Sequence, residues 1–271
     1  MRPFRTLDDV VDGLGALEAE FRQRRDRRSV FLTLYTVVSR EMRDRVAQKA
    51  FDDTEWVHRY AVRFANLYQH SLEAYDGGRL SEVPKAWRLC FDAARTGTRL
   101  VLQDMFLGVN AHVNHDLPFA LNGVSIDPDR PARYADHKAV NDVLGAVTER
   151  ATARLAALYA PGLPDMDDCA GELDELSTLF SLQVARESAW EAAVALANAR
   201  SDVERAVAST LIGSRASVVA RLLLAPTLSP HVAAACARME QGTSWLTISR
   251  SIVLALQDDV AERGQGHGVG P

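Results

Sequence analysis

The sequence predicts an all-α protein, a single multi-helix bundle of about eight to ten helices around a central buried helix at residues 98–117. Three observations support this fold class. The helix formers Ala, Leu, Arg and Glu dominate the 271 residues. Apolar residues recur with the period of roughly 3.6 residues that is typical of an amphipathic helix. Alternating β-branched runs bounded by turn residues, which would indicate strands, are almost absent.

Capping and turn residues delimit the predicted helices. The pairs Thr6/Asp9 and Ser201/Glu204 indicate capping boxes, Asp53 is a candidate N-cap, and the Asp-Gly-Gly run at 76–78 is a strong stop. Pro118 is predicted to end the central helix, because proline disfavours the helical conformation in the residue before it. The predicted helices cover about residues 7–25, 29–50, 53–76, 81–94, 98–117, 132–159, 169–199 and 201–224, and one or two more close near residue 262.

The longest irregular segment inside the domain is predicted at residues 118–131, where prolines and a glycine interrupt the helical pattern. Connections of this length tend to be lids or binding loops. We find neither an internal repeat nor a convincing domain boundary. We therefore expect one helical domain over residues 1–263 and a disordered tail over residues 264–271.

Composition excludes several classes of protein. The net charge of -5 argues against general nucleic-acid binding, which needs a basic surface. Cys90, Cys169 and Cys236 are too scattered for a disulfide framework. The N-terminus lacks the apolar run of a secretion signal, and no apolar run reaches the ~20 residues of a membrane span. We expect a soluble cytoplasmic protein without a transmembrane segment, and the oligomeric state stays open.

Two other sequence features have simple interpretations. The run RQRRDRR at residues 22–28 forms a basic patch, for which a solvated helix end is a sufficient explanation, although a phosphate, carrier-protein or headgroup partner stays open. The glycines form neither a dinucleotide-binding turn nor a phosphate-binding loop, so no nucleotide cofactor is indicated.

The central helix carries a polar stripe within the segment LGVNAHVNHDLPFALNG at residues 107–123. A helix that is apolar on most sides is a buried helix, so the stripe is expected inside the protein. Each buried polar group without a hydrogen-bond partner destabilises the fold by roughly 1–3 kcal/mol, which suggests that the stripe has a functional role. Gly108 lies one turn before His112 and leaves room there for a ligand or for a crossing helix.

Acid/base chemistry is the first interpretation of the stripe. His112 and Asp116 lie four residues apart, so they share a helix face, and an imidazole beside a carboxylate titrates near neutrality. We expect His112 to act as general acid/base, with Asp116 orienting it. Asp104 is a candidate second carboxylate, and Asn110 and Asn114 are candidates for positioning a substrate.

A metal site is the alternative interpretation. His112 and Asp116 are able to converge on one ion, with His137 (or His70) as a third ligand, and this donor set suits a divalent metal such as zinc. The sequence leaves the metal and the cofactor-free readings open. A buried Asp-His hydrogen bond without any ligand stays open as well. On the helix after residue 169, Arg186 is a candidate anion clamp and Trp190 a candidate pocket wall, although a salt bridge and core packing would also explain them.

Several segments resemble a known family. The stretches FLGVNAHVNHDLPFAL, WVHRYAVRFANLY, KAWRLCFDAAR, ADHKAVNDVL and ARESAWEAAV resemble the domain-of-unknown-function family fifty-nine ninety-five over about residues 25–200. The resemblance implies an all-helical fold and no agreed activity. In its motif we match Asn110, His112, Asn114 and Asp116, whereas His115 is less characteristic.

A weaker likeness concerns spacing alone. Zinc-dependent phospholipase C enzymes carry His-x3-Asp on one helix and His-x3-Glu on a later one, and this chain has His112-x3-Asp116 followed by His137-x3-Asn141. Asn141 replaces the acidic ligand, and the remaining ligands of that family have no counterpart here. The resemblance implies no more than that a metal fits the pattern.

Two functions from different classes follow from these residues. The first is a small-molecule enzyme that uses the His112/Asp116 pair for hydrolysis, with or without a metal, or for a lyase- or cyclase-type step. The second is a non-catalytic ligand-binding or scaffold protein whose stripe is a structural polar network.

Overall fold

The computed structural model describes residues 1–161 and 181–225 together with residues 238 and 241, and the described residues contain helices and no strand. This confirms the all-α fold class. The elements are α1 (Leu7–Gln23), α2 (Ser29–Ala47), α3 (Thr54–Asp76), a 3₁₀ turn (Leu80–Glu82), α4 (Lys85–Thr96), α5 (Val101–Asn110), a π-helical turn (Ala111–Asp116), α6 (Leu117–Gly123), α7 (Arg130–Tyr159), α8 (Leu182–Asn198) and α9 (Asp202–Leu224).

Helix starts agree with the capping residues that the sequence indicates. The Asp9 amide donates to the Thr6 hydroxyl at 3.1 Å, and the Thr6 amide donates back to the Asp9 carboxylate at 3.0 Å, which completes a capping box. Asp53 accepts from the Trp56 amide at 2.9 Å, and Ser201 accepts from the Glu204 amide at 3.2 Å. The helices and tail predicted within residues 162–180 and 226–271 lie outside the described residues.

The predicted end of the central helix at Pro118 is wrong. Helical structure continues from α5 through the π-helical turn and α6 to Gly123. In an α-helix the ring of Pro118 would clash with the carbonyl of Asn114, four residues earlier. The π-helical turn just before it lengthens the hydrogen-bonded repeat from i+4 to i+5, and such a bulge absorbs a proline without ending the helix.

The predicted extent of the irregular segment, residues 118–131, is wrong for the same reason. The irregular connection between α6 and α7 is confined to residues 124–129. Ile126 in its middle is fully buried, and the Trp56 indole donates to the Ser125 carbonyl at 2.8 Å. Ile126 therefore anchors this short connection to the core, whereas Ser125 and residues 127–129 are exposed.

The helical segment from Val101 to Gly123 forms the centre of the bundle, and α2, α3, α4, α8 and α9 all pack against it. Gly108 permits the closest of these approaches. A Cβ at Gly108 would lie 2.5 Å from the Phe31 Cγ of α2, so the space that the glycine leaves is filled by a crossing helix. Of the two alternatives that the sequence left open at Gly108, the crossing helix is the one that occurs.

Helix α9 is long and apolar enough to cross a membrane by length and composition alone, with a mean hydropathy of 1.4 over its most apolar stretch. The core helix of a soluble protein meets the same criterion when it is mostly buried, whereas only 28% of this stretch is buried among the described residues. Asn110 of α5 donates to the Ala216 carbonyl of α9 at 2.9 Å, which joins α9 to the central segment.

Substitution of Gly108 tests this packing. We expect Gly108→Ala to lower the free energy of unfolding by about 1–3 kcal/mol. The Phe31 ring packs against Tyr68 and Trp87, so it cannot move away from the new methyl group. Gly145→Ala on the exposed face of α7 is the matched control, and it should raise stability by about 0.5–1 kcal/mol. Urea unfolding measures both, and equal effects in the two variants would contradict the packing described here.

Candidate functional site

The polar stripe coincides with the π-helical turn at Ala111–Asp116. Single π-helical turns inside α-helices occur frequently at functional sites, because they redirect side chains that a regular helix would send elsewhere. Four polar side chains of the stripe are buried here, as the sequence predicts: Asn110, His112, Asn114 and Asp116.

Asp116 is the centre of the hydrogen-bond network. Its Oδ2 accepts from the indole Nε1 of Trp87 at 2.8 Å and lies 3.0 Å from His112 Nδ1. Its Oδ1 lies 2.8 Å from His115 Nδ1. Burial alone would raise the pKa of Asp116, but the hydrogen bonds from His112 and His115 outweigh burial, so the pKa of this carboxyl lies below its ordinary value. Asp116 is therefore ionised.

His112 is a neutral imidazole in one defined tautomer. Burial lowers its pKa, and the hydrogen bond to Asp116 offsets this effect only in part. Because an ionised carboxylate only accepts hydrogen bonds, Nδ1 of His112 carries the proton and Nε2 carries a lone pair. Nε2 is buried and has no hydrogen-bond partner within the described residues. The pair therefore presents a free base that a carboxylate orients.

Aromatic rings surround the imidazole of His112. The ring of Phe64 stacks on it with a centroid distance of 3.4 Å and an interplanar angle of 7°. The other rings meet it at steeper angles, with centroid distances from 4.6 Å to 6.2 Å. We call this set the aromatic cage, and its members are Phe31, Tyr35, Phe64, Tyr68 and Trp87. Phe64 alone among them is partly exposed.

The two asparagines of the stripe use their amide groups for structural bonds. Asn110 donates to the Ala216 carbonyl at 2.9 Å, and Asn114 donates to the Asn110 Oδ1 at 2.9 Å. Asn114 Oδ1 is buried without a partner among the described residues. One acceptor of the predicted substrate-positioning pair is therefore left for another molecule.

Asp104 lies apart from the His112–Asp116 pair. Its Oδ2 forms a salt bridge with Arg27 Nε at 2.5 Å, while its Oδ1 is buried without a partner among the described residues. The ring of Phe31, packed on Gly108, occupies the turn of helix between Asp104 and His112. Asp104 lines a cavity of about 10 Å³, room for roughly one water molecule, whose walls include Phe31, Tyr68 and Trp87 of the cage.

Arg186 and Trp190 belong to a second buried cluster on α8, together with His137 of α7. Arg186 Nε donates to Asn141 Oδ1 at 2.8 Å, and its Nη2 donates to the His137 carbonyl at 2.5 Å. The rings of His137 and Trp190 lie 5.2 Å apart. No carboxylate among the described residues pairs with Arg186.

The predicted metal ligands do not form a set. The part of the chain that the structure describes contains no group of three His, Cys, Asp or Glu side chains arranged to hold a metal ion. His137 is occupied in the α8 cluster, where its Nε2 lies 3.1 Å from the Arg186 carbonyl oxygen. His70 is exposed. His112 and Asp116 are in contact as predicted, but as a hydrogen-bonded pair.

Three residues of this site were not predicted from the sequence. Neither Trp87 nor Phe64 was singled out, and His115 was set aside as less characteristic of the family motif. Phe64 does carry a signal, because it continues a row of aromatic side chains at i+4 spacing on α3, Tyr60 to Phe64 to Tyr68. Trp87 carries none, because it comes from a different helix and its role depends on where α4 packs.

Comparison with known proteins assigns a family and nothing more specific. A family model described as "Family of unknown function (DUF5995)" matches residues 7–226. No curated protein matches the chain. No solved structure matches it either.

The buried neutral histidines predict a pH dependence of stability. Burial, reinforced by the nearby Arg186, lowers the pKa of His137 to about 3. In the unfolded chain His137 has its ordinary pKa of about 6.5 and is protonated below that pH, whereas in the folded protein it stays neutral. Stability is therefore lost as the pH falls from about 6.5 towards 3. Between about pH 7 and pH 5 this amounts to roughly 2 kcal/mol for His137 alone.

Urea unfolding of the native protein and of His137→Gln at both pH values measures this effect. The variant should lose less stability on acidification than the native protein, and His70→Gln at an exposed position serves as the control. If the native protein and His137→Gln lost the same amount, His137 would not be held neutral by the fold.

Proposed function

Because the chain belongs to the family of unknown function DUF5995, we propose its function from the geometry of the site: an enzyme that performs general acid/base chemistry on a small organic molecule, with His112 as catalytic residue. His112 Nε2 accepts a proton from a water molecule or from a carbon of the substrate and returns it later in the cycle. Hydrolysis and a lyase- or cyclase-type step both need this chemistry.

One observation carries the proposal. The imidazole of His112 is buried, neutral and oriented by Asp116, and yet its Nε2 has no partner among the described residues. A buried acceptor without a hydrogen bond costs roughly 1–3 kcal/mol, so a purely structural network would be expected to satisfy it. A carboxylate that fixes the tautomer of a histidine and leaves the other nitrogen free is the arrangement that general-base catalysis requires.

Access to His112 requires the aromatic cage to open. Phe31, Tyr35, Tyr68 and Trp87 are buried, whereas Phe64 is partly exposed and covers one face of the imidazole. Phe64 is therefore the cage residue that turns away at the lowest cost in packing. The apolar walls of the opened site favour a substrate whose reacting part is apolar or aromatic.

The second buried cluster supports an anionic group on the substrate. Arg186 has no carboxylate partner among the described residues, and a buried charge without a counter-ion is unfavourable by several kcal/mol. Tyr60 lies near Arg186 and Phe64 stacks on His112, and Tyr60 and Phe64 are one turn apart on α3. Both clusters therefore adjoin the same face of α3.

The second candidate function is a non-catalytic scaffold in which the stripe is a structural polar network. The observation that favours it is the close stacking of Phe64 on His112, which leaves no space between the two rings. In this case the Trp87 bond to Asp116 holds α4 against the central segment, and the His112 and His115 bonds satisfy the buried carboxylate within that segment.

The variant His112→Asn separates the two functions. Asparagine keeps an N–H near the position of Nδ1 to donate to Asp116, but it has no counterpart of Nε2. We expect it to fold and to lose at least ~100-fold in turnover of any substrate, a loss within the range general-base catalysis typically contributes. The assay is untargeted mass spectrometry of a metabolite extract incubated with native protein or variant, with His70→Asn as control.

Chemical labelling of the same site does not require a known substrate. Diethyl pyrocarbonate acylates a neutral imidazole nitrogen that it is able to reach, and peptide mass spectrometry locates the label. We expect labelling of His112 in the native protein and faster labelling in Phe64→Ala. An unlabelled His112 in both proteins, together with an extract that the native protein does not change, would leave only the scaffold.

Substitution of Arg186 tests whether the second cluster is built for a ligand. Arg186→Met removes a buried charge and keeps most of the side-chain volume. We expect the free energy of unfolding to change by less than about 2 kcal/mol in either direction, because removal of a buried charge offsets the loss of the hydrogen bonds to Asn141 and to the His137 carbonyl. A loss of about 3 kcal/mol or more in urea unfolding would assign Arg186 a structural role instead.

A further inference from the structure

The carboxylate of Asp116 joins two histidines, one on each oxygen. His112 Nδ1 lies 3.0 Å from Oδ2, and His115 Nδ1 lies 2.8 Å from Oδ1. The two histidines are three residues apart and flank the same carboxylate within one π-helical turn. Side chains of adjacent residues diverge on a regular α-helix, so the contact between His115 and Asp116 depends on the altered geometry of this turn.

The three side chains differ in burial. The exposed fraction of the side chain is 4% for His112, 2% for Asp116 and 17% for His115. His115 also packs beside Phe119 of α6, at a distance of 5.2 Å between ring centroids. A continuous row of hydrogen-bonded groups therefore leads from the centre of the aromatic cage to a partly exposed imidazole.

The direction of the Asp116 carboxylate depends on His115. On Oδ2 the carboxylate already has Trp87 and His112 as partners, whereas His115 is the one partner of Oδ1 among the described residues. Without His115, Oδ1 would be buried with no partner, and rotation about the Cβ–Cγ bond towards any available water would weaken the bond to His112. The hydrogen bond from His115 also helps to keep the pKa of Asp116 low.

We propose that His115 is a positioning residue: it fixes the Asp116 carboxylate so that Oδ2 holds the catalytic tautomer of His112. The residues His115, Asp116 and His112 form a triad. His115 acts through Asp116 and does not contact the substrate. This inference rests on the proposed function for its catalytic consequence, but its structural consequence is measurable without a substrate.

The first test uses nuclear magnetic resonance of the imidazole groups. In the native protein we expect His112 to occupy a single tautomer, with a proton on Nδ1 that exchanges slowly with solvent. In His115→Phe this proton should exchange with solvent at least ~10-fold faster, the factor that corresponds to loss of one hydrogen bond to a charged group. The pKa of Asp116 should rise in the same variant, because one of the bonds that lower it is lost.

Two variants control this measurement. His115→Asn keeps an N–H near the position of Nδ1, so it should restore the exchange rate of the His112 proton to within about threefold of the native rate. His70→Phe removes an exposed imidazole outside the site and should change neither the exchange rate nor the pKa of Asp116. Thermal unfolding of each variant confirms that the fold is intact before the spectra are compared.

The second test is kinetic and uses the substrate that the extract assay identifies. His115→Phe should lower kcat by ~10- to 100-fold with little change in KM, and His115→Asn should recover most of it. An unchanged exchange rate in a folded His115→Phe variant overturns the positioning role even if His112 proves catalytic. A changed exchange rate without any detectable substrate supports the positioning role and counts against the enzyme.

Discussion

The buried carboxylate of Asp116 constrains the structure more than any other group. An ionised carboxylate with 2% of its side chain exposed has lost its water, and the fold must replace that water with donors. Trp87 of α4, His112 one turn earlier and His115 supply them. The position of α4, the tautomer of His112 and the orientation of His115 are thus all set by one charge. Trp87 links this charge to the aromatic cage, because it donates to Asp116 and its ring also lies against His112.

Two sequence features place this charge at the centre of the bundle. Gly108 allows α2 to approach so closely that the Phe31 ring lies on the helix backbone and against the imidazole edge. Pro118 lies directly after the π-helical turn, which lets the helix continue without the carbonyl clash that proline normally causes. Together they let one helical segment pass through the core and present its polar stripe to four other helices.

The pattern of satisfied and unsatisfied groups distinguishes structure from function in this core. The Glu18 carboxylate, equally buried, is matched by Thr33 and Arg154 and needs no further explanation. The His112 Nε2, the Asn114 Oδ1 and the Asp104 Oδ1 all lie on the central segment and lack partners within the described residues. Helix α3 carries four such atoms of its own, so their number does not mark the site. The reason to place a ligand at His112 is that a carboxylate orients its imidazole while Nε2 has no partner among the described residues.

The sequence by itself determined the fold class and the chemistry of the stripe. Helix periodicity depends on residues within one or two turns along the sequence, and so do the caps at Thr6, Asp53 and Ser201. These features can therefore be recognised from the sequence alone. The same holds for the His112–Asp116 pair, because residues at i and i+4 meet on any helix.

Only the tertiary structure decided what surrounds that pair and what does not. Trp87, Phe31 and Phe64 come from three other helices, and the positions of those helices follow from the packing of the whole core. Asp104 and His137 stand at plausible spacings in sequence, yet Arg27 and Arg186 hold them in other places. Helical spacing fixes contacts along one helix, whereas contacts between helices depend on the balance of burial and hydrogen bonding over the entire bundle.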